Sequence, residues 1–140
     1  MAEWEQVRVL VIDTKAHIRR LIATLLGALG ITQVVQARTP EAAMPLAKDV
    51  NLVIADWSGD PTQVLLFVHR LRRGELGDPS TPVLALSTSP HHAALERAWR
   101  AGIDDVAAKP LSAMEILERT TALLARRHRE VRPAPAEAAE

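Results

Sequence analysis

RVLVIDTKAH, residues 8–17, begins as a run of branched apolar side chains and halts at one carboxylate, Asp13, with the neutral hydroxyl of Thr14 beside it. A short run with no polar face has nothing to give to water. As a strand it must be covered on both sides, the condition of a parallel sheet flanked by helices. The polar residues that follow it then stand beyond a carboxyl-terminal strand end, where open parallel sheets hold their ligands.

The same pattern recurs downstream. VRVLVI (7–12), VVQA (34–37), NLVIA (51–55), PVLALS (82–87) and DVAA (105–108) have strand length and mostly strand composition. Between the first two, Ile18, Leu21, Ile22, Leu25, Leu26 and Leu29 form one apolar helical stripe, stopped by Gly30. TPEAAMPLAK (39–48) suggests a short second helix capped by Thr39 with Pro40 in its first turn, and Pro45 puts its continuity in question because an interior proline removes a hydrogen bond. Asp60-Pro61 reads as a cap and first-turn proline opening a helix through Val64, Leu65, Val68 and Leu71. Residues 90–102 and 111–128 supply the fourth and fifth helices. Five strands alternating with five helices, joined by right-handed crossovers, predict a doubly wound α/β fold with a five-stranded parallel sheet, the simplest order being 2-1-3-4-5.

Length and composition narrow the function. The 140 residues make one domain, expected over 1–128, and 129–140, ending in the period-free RPAPAEAAE, is expected to be a disordered tail. Formal net charge is zero, so the overall field gives no reason to expect a nucleic-acid or membrane surface as partner. No apolar run approaches the roughly 20 residues of a membrane span, and MAEWEQVR lacks the basic-then-apolar order of a signal peptide. Cysteine is absent, which removes disulfides and thiolate metal sites and fits a reducing cytoplasm.

The strand ends in turn carry Asp13, Asp56, Ser87 and Lys109. The predicted order sets their strands side by side, so two carboxylates, a hydroxyl and an ammonium converge on one crevice. Any one of them alone is more often a cap or turn residue; four complementary groups in register are a site. VLVIDTKAHIRRLI, LVIADW, TPVLALS and AGIDDVAAKP, in this order and spacing, resemble the receiver domain of two-component response regulators, a flavodoxin-like fold, over about residues 7–125. The resemblance implies that Asp56 accepts a phosphoryl group from a sensor histidine kinase or phosphotransfer protein. It further implies that Asp13, Asp56 and the backbone carbonyl of Ser58 ligate Mg²⁺, that Ser87 is the switch hydroxyl, and that Lys109, in a Lys-Pro bond often found cis, contacts the phosphoryl group. Such a chain is not a metabolic enzyme. A divalent ion and a fixed ammonium cancel the repulsion between an attacking carboxylate and an incoming phosphoryl group.

The chain departs from the family pattern in three places. Where receivers usually carry two adjacent acids, Thr14 follows Asp13. Removing a unit charge ~4 Å from a dication forfeits up to about 8 kcal/mol at an effective dielectric of 20. Relief of carboxylate repulsion and a substituting water offset most of that, so Mg²⁺ is expected to bind weakly, with Thr14 capping the next helix as the first expectation and holding a metal-bound water as the second. Val106 stands where the family commonly puts an aromatic ring that reorients with the switch hydroxyl. The loop SGDPTQV lacks the family's frequent Met-Pro. These departures support an alternative, a degenerate receiver acting as a phosphorylation-independent interaction module.

Leu95 and Trp99, one helical turn apart, lie by resemblance on the surface of the fourth helix, fifth strand and fifth helix, together with Val106. A downstream protein or a second copy is expected to dock there, with neither a DNA-binding domain nor a membrane involved; packing against the sheet is the equal alternative for the pair. Ala94, Ala98 and Ala101 allow close helix–sheet approach. His91 and His92 point apart and read as solvated. Arg126, Arg127, Arg129 and Arg132 are expected to complement the negative end of the last helix, with contact to phosphates as the lesser alternative. Trp57 is a structural neighbour of Asp56. A flavin or nucleotide binder would need a Gly- or Ser/Thr-rich phosphate loop after the first strand, and DTKAHIRR has none.

Overall fold

The computed structural model describes residues 4–89 and 91–131; the side chains of His92 and of residues 128–131 lie outside that description. Its elements are β1 (Arg8–Ile12), α1 (Ala16–Ala28), β2 (Gln33–Ala37), α2 (Pro40–Ala43), β3 (Leu52–Asp56), α3 (Thr62–Arg72), β4 (Val83–Ser87), α4 (His92–Ala101), β5 (Asp105–Ala108) and α5 (Ala113–Val131). The strands form one parallel sheet in the order β2-β1-β3-β4-β5.

Alternation along β1 explains its uniform apolarity. Val9 and Val11 join Ile22 and Leu26 of α1 and Ile116, Leu123 and Leu124 of α5 on one face. Leu10 and Ile12 face the other way, into Val64, Phe67, Val68 and Leu71 of α3 and Ala98 of α4. A polar residue at any of these positions would meet a helix rather than water. Ala98 is buried, as its small size allows, and Phe67, outside the predicted α3 stripe, is among the most fully buried side chains. Leu21, counted in the α1 stripe, is exposed instead, because that helix buries only the narrower face through Ile22 and Leu26.

Helix ends follow local chemistry. After α1, Gly30 adopts φ 88°, its N–H reaching the Gly27 carbonyl while Ile31 N–H reaches that of Leu26. This is the left-handed stop that glycine permits. Thr39 Oγ1 accepts from Ala42 N–H at 3.1 Å, as predicted, but α2 gives way at Ala43 to a 3-10 turn over Met44–Leu46 containing Pro45, which has no N–H to continue the ladder. Pro61 occupies the cap position of α3 and Asp60 lies one residue ahead of it, accepting from both the N–H and the hydroxyl of Thr62. Those bonds, the hydroxyl's first, hold its carboxyl below the ordinary value of 3.8. α5 continues through Val131, beyond the predicted end at 128, and the remaining tail, 132–140, lies outside the described residues.

At the amino-terminal edge of the sheet, Arg72 uses all five of its N–H groups. They go to the carbonyls of Gly102 (3.0 and 2.6 Å), Pro79 (2.8 Å) and Thr81 (2.6 Å) and to Asp104 Oδ2 (2.8 Å). Asp104 also accepts from Val83 N–H and from Arg126, while Arg127 pairs with Asp78. Arg126 and Arg127 are thus tied to specific acids rather than to the helix dipole alone; Arg129 and Arg132 lie outside the described side chains.

Candidate functional site

Parallel pairing sets the carboxyl ends of the inner strands level: Ile12 is in register with Ala55, Asp56 with Leu86, and Ser87 with Ala108. Each chain then leaves the sheet through a polar residue. Asp13 is almost wholly buried (2 % exposed), and both its carboxylate oxygens have donors: Oδ1 accepts from Lys15 N–H at 2.9 Å and Oδ2 from Lys109 Nζ at 2.8 Å. Its backbone is pinned on both sides, the N–H donating to the Ala37 carbonyl and the carbonyl accepting from Arg19 Nη1 at 2.7 Å. Arg19, for which no sequence pattern provides a cue, also reaches Gln36 Oε1 and so fixes the loop across β1 and β2.

Asp56 ends β3 with its side chain one-fifth exposed. Its Oδ1 accepts from Ser58 N–H and from Lys109 Nζ, both at 3.0 Å, and among the described residues Oδ2 receives no hydrogen bond. Lys109 therefore bridges the two carboxylates from a side chain only 11 % exposed. Burial alone would lower its pKa; hydrogen bonds to Asp13 and Asp56 outweigh that and hold it above 10.5. Lys109 N–H bonds the Ser87 carbonyl, and the Lys109-Pro110 bond is cis, as the resemblance implied. Asp13, Asp56 and Lys109 thus form one ion cluster. Ser87 lies buried alongside, its Oγ accepting from Ser89 N–H at 3.1 Å rather than engaging the acids.

Thr14 does not cap α1. It is exposed, the cap position is Lys15 with no side-chain cap bond, and the carboxylate of Asp13 instead accepts from the N–H of the cap residue itself. Among the described residues no group of three or more His, Cys, Asp or Glu side chains could hold a metal. What the crevice offers is two carboxylates, with the Ser58 hydroxyl beside them buried and without a partner. These hard oxygens fit Mg²⁺, which accepts few protein ligands and keeps several waters, at one negative charge fewer than an adjacent acid pair would give.

Around the cluster, Trp57 is buried (7 % exposed) and packs with Ala98 and Val106. On its outer side opens a cavity of about 290 Å³ lined by Ser58, Gly59, Thr88, His91 and Arg97 among others. His91 serves as the α4 cap, its Nδ1 accepting from Ala94 N–H at 3.4 Å, so it is more than a solvated residue. On α4 the two apolar residues part company: Trp99 is 47 % exposed, while Leu95 is half-buried against Trp57 and Val106.

The sequence profile described as the response regulator receiver domain matches residues 9–121. The chain belongs to this family. The receiver is 29% identical over 119 residues to the phosphate regulon transcriptional regulatory protein PhoB of Pseudomonas aeruginosa, covering 84% of this chain and 52% of that protein, and so spans about half its length. It is 25% identical over 117 residues to the chemotaxis protein CheY-3 of Vibrio cholerae, covering 82% of this chain and 89% of that one. The receiver domain of the Francisella response regulator 1452 superimposes with a TM-score of 0.75 at 25% identity, over 86% of this chain and 98% of that one. Receiver domains are signalling modules rather than classical enzymes, have autophosphorylation capacity, and generally bind Mg²⁺ at the acidic pocket. No described helix is long and apolar enough to cross a membrane.

Proposed function

We propose that this receiver is a phosphoacceptor in a two-component phosphorelay. A sensor histidine kinase or phosphotransfer protein supplies the phosphoryl group, and Asp56 takes it. The observation that carries this reading is the division of labour on one carboxylate: Oδ1 is held by Lys109 and Ser58 while Oδ2, among the described residues, is left without a donor. Oδ2 attacks phosphorus, the phosphorus–nitrogen bond of the phosphohistidine breaks, and its electron pair returns to the imidazole, which takes up a proton. Lys109 is placed to meet a phosphoryl oxygen as a point charge, and Ser87 to donate its hydroxyl once it leaves the Ser89 N–H. Asp13, Asp56 and the Ser58 carbonyl are the residues that would hold Mg²⁺. The ion supplies further neutralisation of phosphoryl charge when bound, and Thr14 in place of an acid weakens its binding. The domain over 1–128 acts in the cytoplasm, its readout passing to a downstream protein or second copy through α4, β5 and α5, with Leu95, Trp99 and Val106 at that face.

Incubation with phosphoramidate and excess Mg²⁺ is expected to add the mass of one phosphoryl group, and Asp56→Asn to abolish it. No labelling under those conditions refutes the proposal. Thr14 and Val106 favour the second reading, a phosphorylation-independent interaction module. Mg²⁺ titration followed by fluorescence in a Trp4→Phe/Trp99→Phe background, which leaves Trp57 as reporter, separates the two. Saturation at millimolar ion speaks for the phosphoacceptor, and no response for the module.

A further inference from the structure

We propose that Trp57 is the positioning residue that couples the Asp56 crevice to the outer surface of α4, its indole moving between its packed position beneath α4 and the adjoining open cavity. The proposal rests on the phosphoacceptor reading for what triggers the motion, and on packing for the path.

The path is short and continuous. Trp57 follows Asp56 directly, and its N–H bonds the Leu86 carbonyl at 2.7 Å, so the backbone is held to β4 while the side chain is not. The indole is buried and, with Ser87, Ala94, Leu95, Ala98 and Val106, walls a narrow gap with no room for water. One ring therefore faces, across the same gap, the switch hydroxyl's residue, the inward face of α4 and the middle of β5. Leu95 is half-buried against it, and Trp99 stands exposed one turn further along the same helix. Val106 is small, so no second ring competes for the space under α4.

The same ring has somewhere to go. A cavity of about 290 Å³, lined by Trp57 itself together with Ser58, Gly59 and Arg97 among others, adjoins the gap and has room that the gap lacks. Among the described residues the side chain makes no hydrogen bond, so rotating it breaks none. Gly59, at φ 74° with open space around it, permits the loop after Trp57 to turn without strain. Close-packed interiors respond to a local displacement by switching between discrete packings rather than by smooth deformation. A buried ring packed under α4 with an open cavity beside it is an element of that kind. When Asp56 is modified and Ser87 turns toward it, the Ser87 wall of the gap shifts, the ring is displaced toward the cavity, and Leu95 and α4 close behind it.

The test uses the full chain labelled with 5-fluorotryptophan, whose three fluorine resonances are assigned by Trp4→Phe, Trp57→Phe and Trp99→Phe. Phosphoramidate with excess Mg²⁺ is expected to move the Trp57 and Trp99 resonances together, in proportion to the labelled fraction by mass. Trp4, packed on the opposite face of the sheet, stays in place. In Trp57→Leu, labelling of Asp56 persists and the Trp99 displacement is lost. If Trp57→Leu does not fold, Trp57→Phe keeps a smaller ring and is expected to reduce the displacement. A Trp99 displacement undiminished in the folded variant, or a stationary Trp57 resonance in the fully labelled chain, overturns the coupling. If Asp56 takes no phosphoryl group, the relay is read from Ser87→Val, which alters the same wall of the gap directly and should move Trp99 with Trp57 present and not without it. That result would leave the coupling standing while the phosphoacceptor reading fell, and its absence would overturn the coupling as well.

Discussion

Replacing Lys109 with methionine keeps the apolar stem and removes one ammonium from between two carboxylates. In the native crevice that ammonium stands 2.8 Å from Asp13 and 3.0 Å from Asp56. At an effective dielectric of 20 each pairing is worth about 6 kcal/mol of gross attraction. Against that stands the cost of desolvating the ammonium, several kcal/mol, which the variant no longer bears. The remainder, together with a buried carboxylate left facing another, gives a net loss of about 3–5 kcal/mol at neutral pH. The pH dependence identifies the cause. Lys109 has its folded pKa raised above 10.5, so its stabilisation is fully present below that pH and is lost as pH rises through the folded value. The difference between wild type and Lys109→Met is therefore expected to be constant from neutral pH up to about 10 and to close above it. This window is unusually clean, because the chain has no tyrosine or cysteine and only Lys15 and Lys48 as further lysines. Urea unfolding followed by far-UV circular dichroism at a series of pH values measures it. A variant within about 1 kcal/mol of wild type at pH 7, or a difference that does not narrow in alkali, would show that the ammonium is not what holds the crevice together.

Arg72→Met is expected to cost about 3–5 kcal/mol, since it strips donors from three carbonyls and from Asp104; Arg72→Lys recovers little of it, because a point charge cannot reach all four partners, and thermal unfolding of both variants checks this. Asp78 is held below the usual carboxylate value of 3.8, first by the Ser80 N–H, so Asp78→Ala is expected to lower stability above that pH and to converge with wild type as the solution is acidified through the folded value, measured by urea unfolding across that range. Thr14→Asp restores a second acid beside Asp13 and is expected to tighten Mg²⁺ binding at least about tenfold, corresponding to roughly 1.4 kcal/mol left after carboxylate repulsion. Isothermal titration against wild type measures it, and equal affinities would remove Thr14 as the cause of weak binding.

The sequence was most informative where one physical cause controls an element. The two-sided burial of β1, β3 and β4 leaves no alternative to a helix-covered parallel sheet, and the strand ends follow from it, so the grouping of Asp13, Asp56 and Lys109 was legible in the pattern alone. Thr39, Pro45 and Gly30 act through their own backbone chemistry and were equally legible. What escaped depends on partners distant in sequence. Arg19 and Arg72 look like any solvated helix arginine until the carbonyls they meet are known. Thr14 has the right chemistry for a cap, but Asp13, one residue earlier, already satisfies Lys15 N–H, and nothing local says which of the two will do so. Leu21 and Phe67 show the same limit within a helix: periodicity gives a face, while its width is set by the neighbours.

The five-donor grip of Arg72 on the turn after α4 has a mechanical consequence. Two of its bonds end on Gly102, directly behind the last residue of α4, whereas the 3.4 Å bond between Ala94 N–H and His91 Nδ1 at the other end lies within the helix's own first turn and reaches no neighbouring element. A rod of ten residues, about 15 Å long, clamped by hydrogen bonds at its tail and held at its head by side-chain packing, behaves as a lever with a fixed fulcrum. Its head overhangs the cavity, so whatever displaces α4 swings the first turns while the clamped base remains in place.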